Sequence, residues 1–428
     1  MKHTLINKDV LEALREIPDE SVDCIVTSPP YYGLRSYKGA ETVWGGSSNY
    51  EHEWVSQEVY KDNLRFRDPN HKASVGNQKN QEIYGDPSTE ANVCLKCGAW
   101  KGQLGLELSY QMYLDHLMLV TKELKRVLKK TGTLFWNMGD TYSGAGAGQK
   151  DTGKASYEGS DFRPSPVKSN LPDKSLMMLP ERFAIRMIDD GWILRNKIIW
   201  YKRNGMPSSV KDRFSNKHEF VYFFTKNGKY YFDLDAVRKP FLQPNSPYNH
   251  GLLFNNRVRD AQKGILKDKW GNLYSASEEE IEKYNERSYT PRKRNGEEHG
   301  FVEHTFNKKG HSGYYDKEGN FIANPNGANP GDVLDAPTMP HKFAHFAVYP
   351  ERLVEPLIRA GCSKDGVVLD PFAGSGTTGV VAKSLGRSSI MIEISPEYCK
   401  IIKERMNWGS GFDIEWVMNN PIEEVMVG

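Results

Sequence analysis

Long apolar runs are missing from this chain of 428 residues. None reaches the roughly 18 residues of a membrane-spanning helix, and the opening MKHTLINKDV has no signal-peptide apolar core. Cysteine is scarce: the 5 present, at 24, 94, 97, 362 and 399, form no disulfide pattern and suit a reducing cytoplasm. Charge of one sign is also lacking, since 57 Lys and Arg face 55 Asp and Glu for a net +2. That balance neither demands nor excludes a nucleic-acid partner, so any basic surface must be local. Internal repeats, a Walker A lysine and a GxGxxG fingerprint are all absent. With 38% hydrophobic and 26% charged residues, a soluble globular protein is expected: one large catalytic domain with additions, or two to three domains.

What is present is an alternation of strand and helix patterns at both ends of the chain. Thr4–Asn7, Val22–Thr27, Thr133–Asn137, Ile198–Tyr201, Glu219–Thr225, Val367–Asp370 and Ser389–Glu393 read as strands. Val10–Ile17, Leu108–Leu128, Leu179–Asp190, Pro350–Ala360 and the stretch up to Leu385 read as helices. This predicts an α/β fold, a Rossmann-like, mostly parallel twisted sheet with helices on both faces. Residues 39–103 read as a polar insertion, Gly144–Lys174 as a mobile loop, and 240–331 as a further polar region.

Two stretches carry chemistry. In Cys24-Ile25-Val26-Thr27-Ser28-Pro29-Pro30-Tyr31 a strand halts at prolines that have no N–H to continue a ladder. It delivers a hydroxyl, carbonyls and an aromatic ring at its C-terminal end, where open α/β sheets bind ligands. In Val367-Val368-Leu369-Asp370-Pro371-Phe372-Ala373-Gly374-Ser375-Gly376-Thr377-Thr378 a strand ends in an acid, turns on two glycines and opens a helix. Such glycines let a ligand approach the backbone, and the helix start offers N–H groups. Glu393, at the end of the next strand, suits a carboxylate holding ribose hydroxyls.

Together TSPPY and DPFAGSGTT resemble the S-adenosylmethionine-dependent DNA amino-methyltransferases of cytosine N4 and adenine N6. The catalytic motif precedes the cofactor motif, which matches their permuted beta class. The resemblance implies a class I methyltransferase fold divided into 1–38 (catalytic motif), 39–103 (insertion), 104–239 (catalytic domain continued), 240–331 (target recognition) and 332–428 (cofactor part). It implies Ser28, Pro29, Pro30 and Tyr31 as catalytic residues. Asp9, Phe346, Asp370, Pro371, Phe372, Gly374, Ser375, Gly376, Thr377 and Glu393 would bind the cofactor, with Asp370 at its amino-acid end and Asp9 near its adenine. Ser28 and the Pro29 carbonyl would accept the amine's hydrogens while Tyr31 stacks on the flipped base. No Pro-Cys pair is present, which excludes the thiolate route to carbon-5 methylation; Cys24 reads as core.

Ser28 in the first motif position favours N4-cytosine over N6-adenine in this family. Double-stranded DNA is the implied partner, with the enzyme either paired with a cognate restriction endonuclease or standing alone; a dimer is compatible, and membranes are not implied. An N-methyltransferase acting on RNA or a protein amide, and a non-enzymatic DNA-binding module, are the alternative readings. Cys94-Leu95-Lys96-Cys97-Gly98 reads as a zinc-knuckle half, with His52 as a further candidate ligand and His71 the other nearby histidine. A redox CxxC is disfavoured because no thioredoxin-like pattern surrounds it.

Overall fold

Near-continuous apolar runs give the inner strands two faces to bury, and the computed structural model places helices on both. It describes residues 1–33, 40–46, 51–55, 92–144, 169–205, 210–239, 326–338 and 349–407, with four short strands between 265 and 298. The chain opens with β1 (His3–Ile6), α1 (Val10–Glu16) and β2 (Val22–Thr27). The insertion follows as β3 (Thr42–Trp44), β4 (Trp54–Val55), β5 (Val93–Cys94) and β6 (Trp100–Gly102). Then come α2 (Tyr110–Val127), β7 (Leu128–Met138), α3 (Leu179–Asp189), β8 (Ile193–Tyr201) and β9 (His218–Thr225). After β10 (Ile265–Lys267), β11 (Leu273–Ser275), β12 (Lys293–Arg294) and β13 (Glu297–Glu298), the order is β14 (Val333–Asp335), α4 (Glu351–Gly361), β15 (Val367–Asp370), α5 (Thr377–Ser384), β16 (Ser388–Ile392) and α6 (Pro396–Asn407).

The main sheet runs β1-β16-β15-β2-β7-β9-β8-β14. Its neighbours are parallel except around β9, which is antiparallel to both β7 and β8. The α/β, Rossmann-like, mostly parallel expectation therefore holds, with one strand reversed. On β2, Ile25 joins a core with α1, α2 and α3, whereas Cys24 and Val26 join a second core with α4 and α5. Period two explains the division. Cys24, fully buried, is core as read.

Some elements differ from the sequence reading. Leu128 begins β7 rather than ending α2, because the helix stops at an extended residue and the chain pairs at once with Val22. Strand β8 starts at Ile193, ahead of Ile198, its exposed Arg195–Lys197 stretch hiding the apolar signal. The insertion, with little periodicity, nevertheless holds a four-stranded antiparallel sheet ordered β3-β6-β5-β4.

By internal contacts the chain divides into Met1–Ala236 with Gly331–Gly428, and Val237–Pro330. The insertion belongs to the first. In the second, β10 pairs with β11 and β12 with β13, both antiparallel, and Lys239 bridges Ala328. Most of the region read as target recognition lies outside the described residues, as do 145–168 and His71.

Candidate active site

The sheet order reverses direction of travel between β15 and β2, and a cavity of about 660 Å³ opens beyond the C-terminal ends of these strands. Such a switch point is where open α/β sheets take ligands, in pockets of roughly 300–1,000 Å³. Asp9, Ser28, Pro29, Pro30, Tyr31, Pro371, Phe372, Gly374, Ser375, Thr377 and Glu393 all line it. Two motifs far apart in the chain thus share one cavity. Phe346 lies outside the described residues.

At the β2 end, the prolines stop the strand and Ser28 and Tyr31 meet residues the sequence had not marked. The Tyr31 hydroxyl lies 2.9 Å from both Asn137 Oδ1 and Glu219 Oε2. Ser28 Oγ lies 3.2 Å from Asn137 Oδ1 and from the Tyr31 hydroxyl. Asn137 is oriented by its own Nδ2, which donates to the Phe220 carbonyl at 3.0 Å, so its oxygen faces the serine. When Ser28 donates to that oxygen, its lone pairs are left to accept from a ligand. Burial first, then the Glu219 carboxylate, raise the Tyr31 phenol well above its ordinary range, keeping it a neutral donor. Its ring packs against Gly139, where a Cβ would come within 2.6 Å. The Pro30 carbonyl accepts from Tyr113 at 2.8 Å.

Glu219 stands in this site because β9 is reversed: the start of that strand reaches the edge where its neighbours end. Its other oxygen accepts from Lys202, whose ammonium also lies 4.1 Å from the Trp200 ring centroid. Asn137, Lys202 and Glu219 were legible only as strand-end polar residues, a signal that needed the topology to become specific.

At the β15 end, Glu393 accepts from the Gly374 N–H at 2.7 Å and the Ser395 N–H at 2.8 Å. Burial outweighs these donors and pushes its carboxyl up to about 7. Gly374 takes φ +52°, and a Cβ there would meet nothing within 4 Å, so it leaves open space for a close approach. Gly376 serves differently. A Cβ on it would press at 3.0 Å on Ile402 of α6, and it does not line the cavity.

Asp370 also lies beneath the cavity rather than on its wall. Fully buried, it accepts from Thr27 at 2.7 Å, Thr378 at 2.6 Å, Tyr349 at 2.7 Å and the Phe372 N–H at 3.1 Å. Burial raises its pKa against those four donors. This carboxylate ties the loop after β15 to the end of β2 through Thr27. Arg405 of α6 was not foreseen: buried, it reaches the Ser375 carbonyl at 2.7 Å and Thr377 Oγ1 at 3.0 Å, bracing the same loop. Asp9 caps α1 through the Leu11 N–H at 2.9 Å.

Away from the cavity, one donor atom each of His52, Cys94 and Cys97 lie within 4.8 Å of one another. Cys94 is buried, which disfavours its thiolate, but N–H groups of Cys97, Lys96 and Glu53 outweigh this and hold its pKa below the ordinary thiol value. The same small sheet supplies Trp44 and Trp100, which stack on His116 of α2 at centroid distances of 5.3 and 5.7 Å. His116 in turn bonds the buried Glu107 at 3.0 Å, and Glu107 holds the Gly105 N–H at 2.8 Å. The Gly105 carbonyl accepts from the N–H of Gly33, two residues after TSPPY.

A family model described as DNA methylase, of the N6 and N4 type, matches residues 22–404. The type II methyltransferase M.XycI of Xanthomonas campestris pv. cyanopsidis is 29% identical over 94% of this chain and 87% of its own length. M.Cfr9I of Citrobacter freundii, also a type II methyltransferase, is 28% identical over the same shares. Among solved structures, the PvuII DNA methyltransferase (cytosine-N4-specific) aligns with a TM-score of 0.44 at 17% identity, covering 100% of this chain and 90% of that one. A DNA modification methylase of Thermus thermophilus, solved with S-adenosyl-L-methionine, aligns at 0.43 and 18%, covering 97% and 99%.

Proposed function

Since the chain belongs to the N6/N4 DNA methylase family, we propose that it methylates N4 of cytosine at a specific DNA site, with the target base turned out of the helix into the cavity. One observation carries this: Ser28 and Tyr31 of the catalytic strand and Glu393 of the cofactor half line a single cavity. An exocyclic amine is a poor nucleophile because its lone pair is conjugated with the ring. Ser28 Oγ and the Pro29 carbonyl, held rigidly by the prolines, accept the amine's two hydrogens and let the nitrogen turn more tetrahedral. S-adenosylmethionine, when bound, supplies an activated methyl group. Glu393 holds its ribose hydroxyls and Gly374 allows its close approach, while Asp370 fixes the loop from beneath. The fit rests on the carboxylate that lines the cavity and the open space over Gly374. In-line positioning does much of the rest.

Ser28 in the leading motif position supports cytosine; N6 of adenine is the second reading. The type II relatives support a place in a restriction–modification pair. Sequencing the DNA of an expressing host with modified-base detection tests the proposal. N4-methylcytosine at one recurring site is expected. N6-methyladenine would transfer the assignment to adenine, and unmodified DNA would overturn it.

For the insertion we infer a structural zinc on His52, Cys94 and Cys97. The clustered donor atoms support it, since thiolate and imidazole are the ligand types zinc prefers.

A further inference from the structure

Phe214 is 97% exposed, an unusual position for a phenylalanine, and the loop that carries it is anchored. Asp212 pairs with Lys174 at 2.8 Å, Arg213 lies 3.8 Å over the Tyr142 ring, and Asn216 accepts from the Tyr142 hydroxyl at 3.3 Å. The Lys217 carbonyl receives the Lys202 N–H at 2.8 Å. The loop is therefore tied down on both sides of a ring that touches almost nothing. It runs straight into β9, whose first residues His218 and Glu219 line the cavity together with Asn216. Lys211, Arg213 and Lys217, all exposed, flank Phe214 in the sequence.

A bare aromatic flanked in sequence by cations, two residues ahead of the cavity-lining Asn216, matches one kind of occupant. Phosphates meet the cations, and the ring meets stacked bases. On the reading that this enzyme methylates a base turned out of the duplex, we propose that Phe214 enters the double helix and occupies the gap the target base leaves, with Lys211, Arg213 and Lys217 on the flanking phosphates. A base drawn out of its stack loses contact with its neighbours, and an inserted ring restores that contact and slows the base's return.

The distinguishing property of such a wedge is that it matters only when a pair must be opened. The probe is a duplex carrying the site found in host DNA, prepared with the target base either paired or opposite an abasic position. Phe214→Ala should methylate the paired duplex about 5- to 150-fold more slowly at subsaturating DNA, the range set by the loss of one base–aromatic stack. On the abasic duplex it should recover to within a few-fold of the unmodified enzyme. Phe214→Trp should keep most of the activity on both. Calorimetric titration with S-adenosylmethionine should be unchanged, showing the fold intact. Wild-type rates for Phe214→Ala on the paired duplex, or an equal defect on both duplexes, would overturn the wedge. An unmodified enzyme that methylates neither duplex would instead sink the methyltransferase reading itself, so the two failures are separable.

Discussion

The Tyr31 hydroxyl donates to the Glu219 carboxylate across 2.9 Å although 188 residues separate them in the chain. Glu219 is further held by Lys202, so one carboxylate fixes both the aromatic ring of the TSPPY loop and the cation beside Trp200. Replacing Glu219 by Ala should release both. A lost hydrogen bond to a charged group costs about 1.5–3 kcal/mol, which predicts a methylation rate lower by roughly 10- to 150-fold. Single-turnover kinetics with saturating S-adenosylmethionine would measure it; an unchanged rate would remove Glu219 from the site.

Ser28→Ala separates chemistry from binding. If the hydroxyl acts on the amine as the methyl is transferred, its loss belongs to the transition state. A fall of about 30- to 1,000-fold is expected, corresponding to roughly 2–4 kcal/mol. Cofactor affinity should hardly move. Normal methylation by this variant would mean that TSPPY is not the catalytic centre.

Glu393 sets a pH dependence. Its carboxyl is raised by burial from 4.5 to about 7, so the folded protein keeps a proton there that the unfolded chain has already released. Its contribution to stability therefore falls as pH rises from about 4.5 through about 7. If Glu393 holds the cofactor's ribose as proposed, cofactor binding should run the other way, because the ionised carboxylate would accept from its hydroxyls. Affinity for S-adenosylmethionine should be about tenfold weaker at pH 6 than at pH 8. Titration calorimetry across that range checks it, and Glu393→Gln should bind weakly with most of this dependence gone.

The zinc assignment predicts about one zinc per chain in purified protein, measurable by elemental analysis. Cys94→Ser should lose it. Because Trp44 and Trp100 of the same small sheet clamp His116, metal loss should also lower the thermal midpoint while S-adenosylmethionine still binds. Metal-free native protein with an unaltered midpoint would refute the site.

Most of the sheet was legible because its strands are apolar runs ended by glycine, proline or an acid, and Ser28, Tyr31, Gly374 and Glu393 lie where such runs stop. Other roles were hidden for physical reasons. Asp370 ends a strand as a ligand-binding acid would, yet only the fold shows its oxygens taken by Thr27, Tyr349 and Thr378. Gly376 reads like Gly374, but the neighbour that requires it, Ile402, belongs to a helix that carried no motif. Glu219 begins a strand whose reversal no local pattern announces. His116 looked like one more residue on an amphipathic helix, and the tryptophans that enclose it came from a stretch without periodicity.

Strand β2 lies between β7 and β15, and Thr27 at its end bonds an acid 343 residues farther along. On the ribosome, Thr27 of β2 emerges 343 residues ahead of Asp370 in its neighbour β15. Until then β2 presents an unpaired edge in the middle of the future sheet, the kind of surface that aggregates or needs a chaperone. High contact order of this sort makes for slow folding. It also means that no fragment lacking β15 and the loop after it can hold both walls of the cavity.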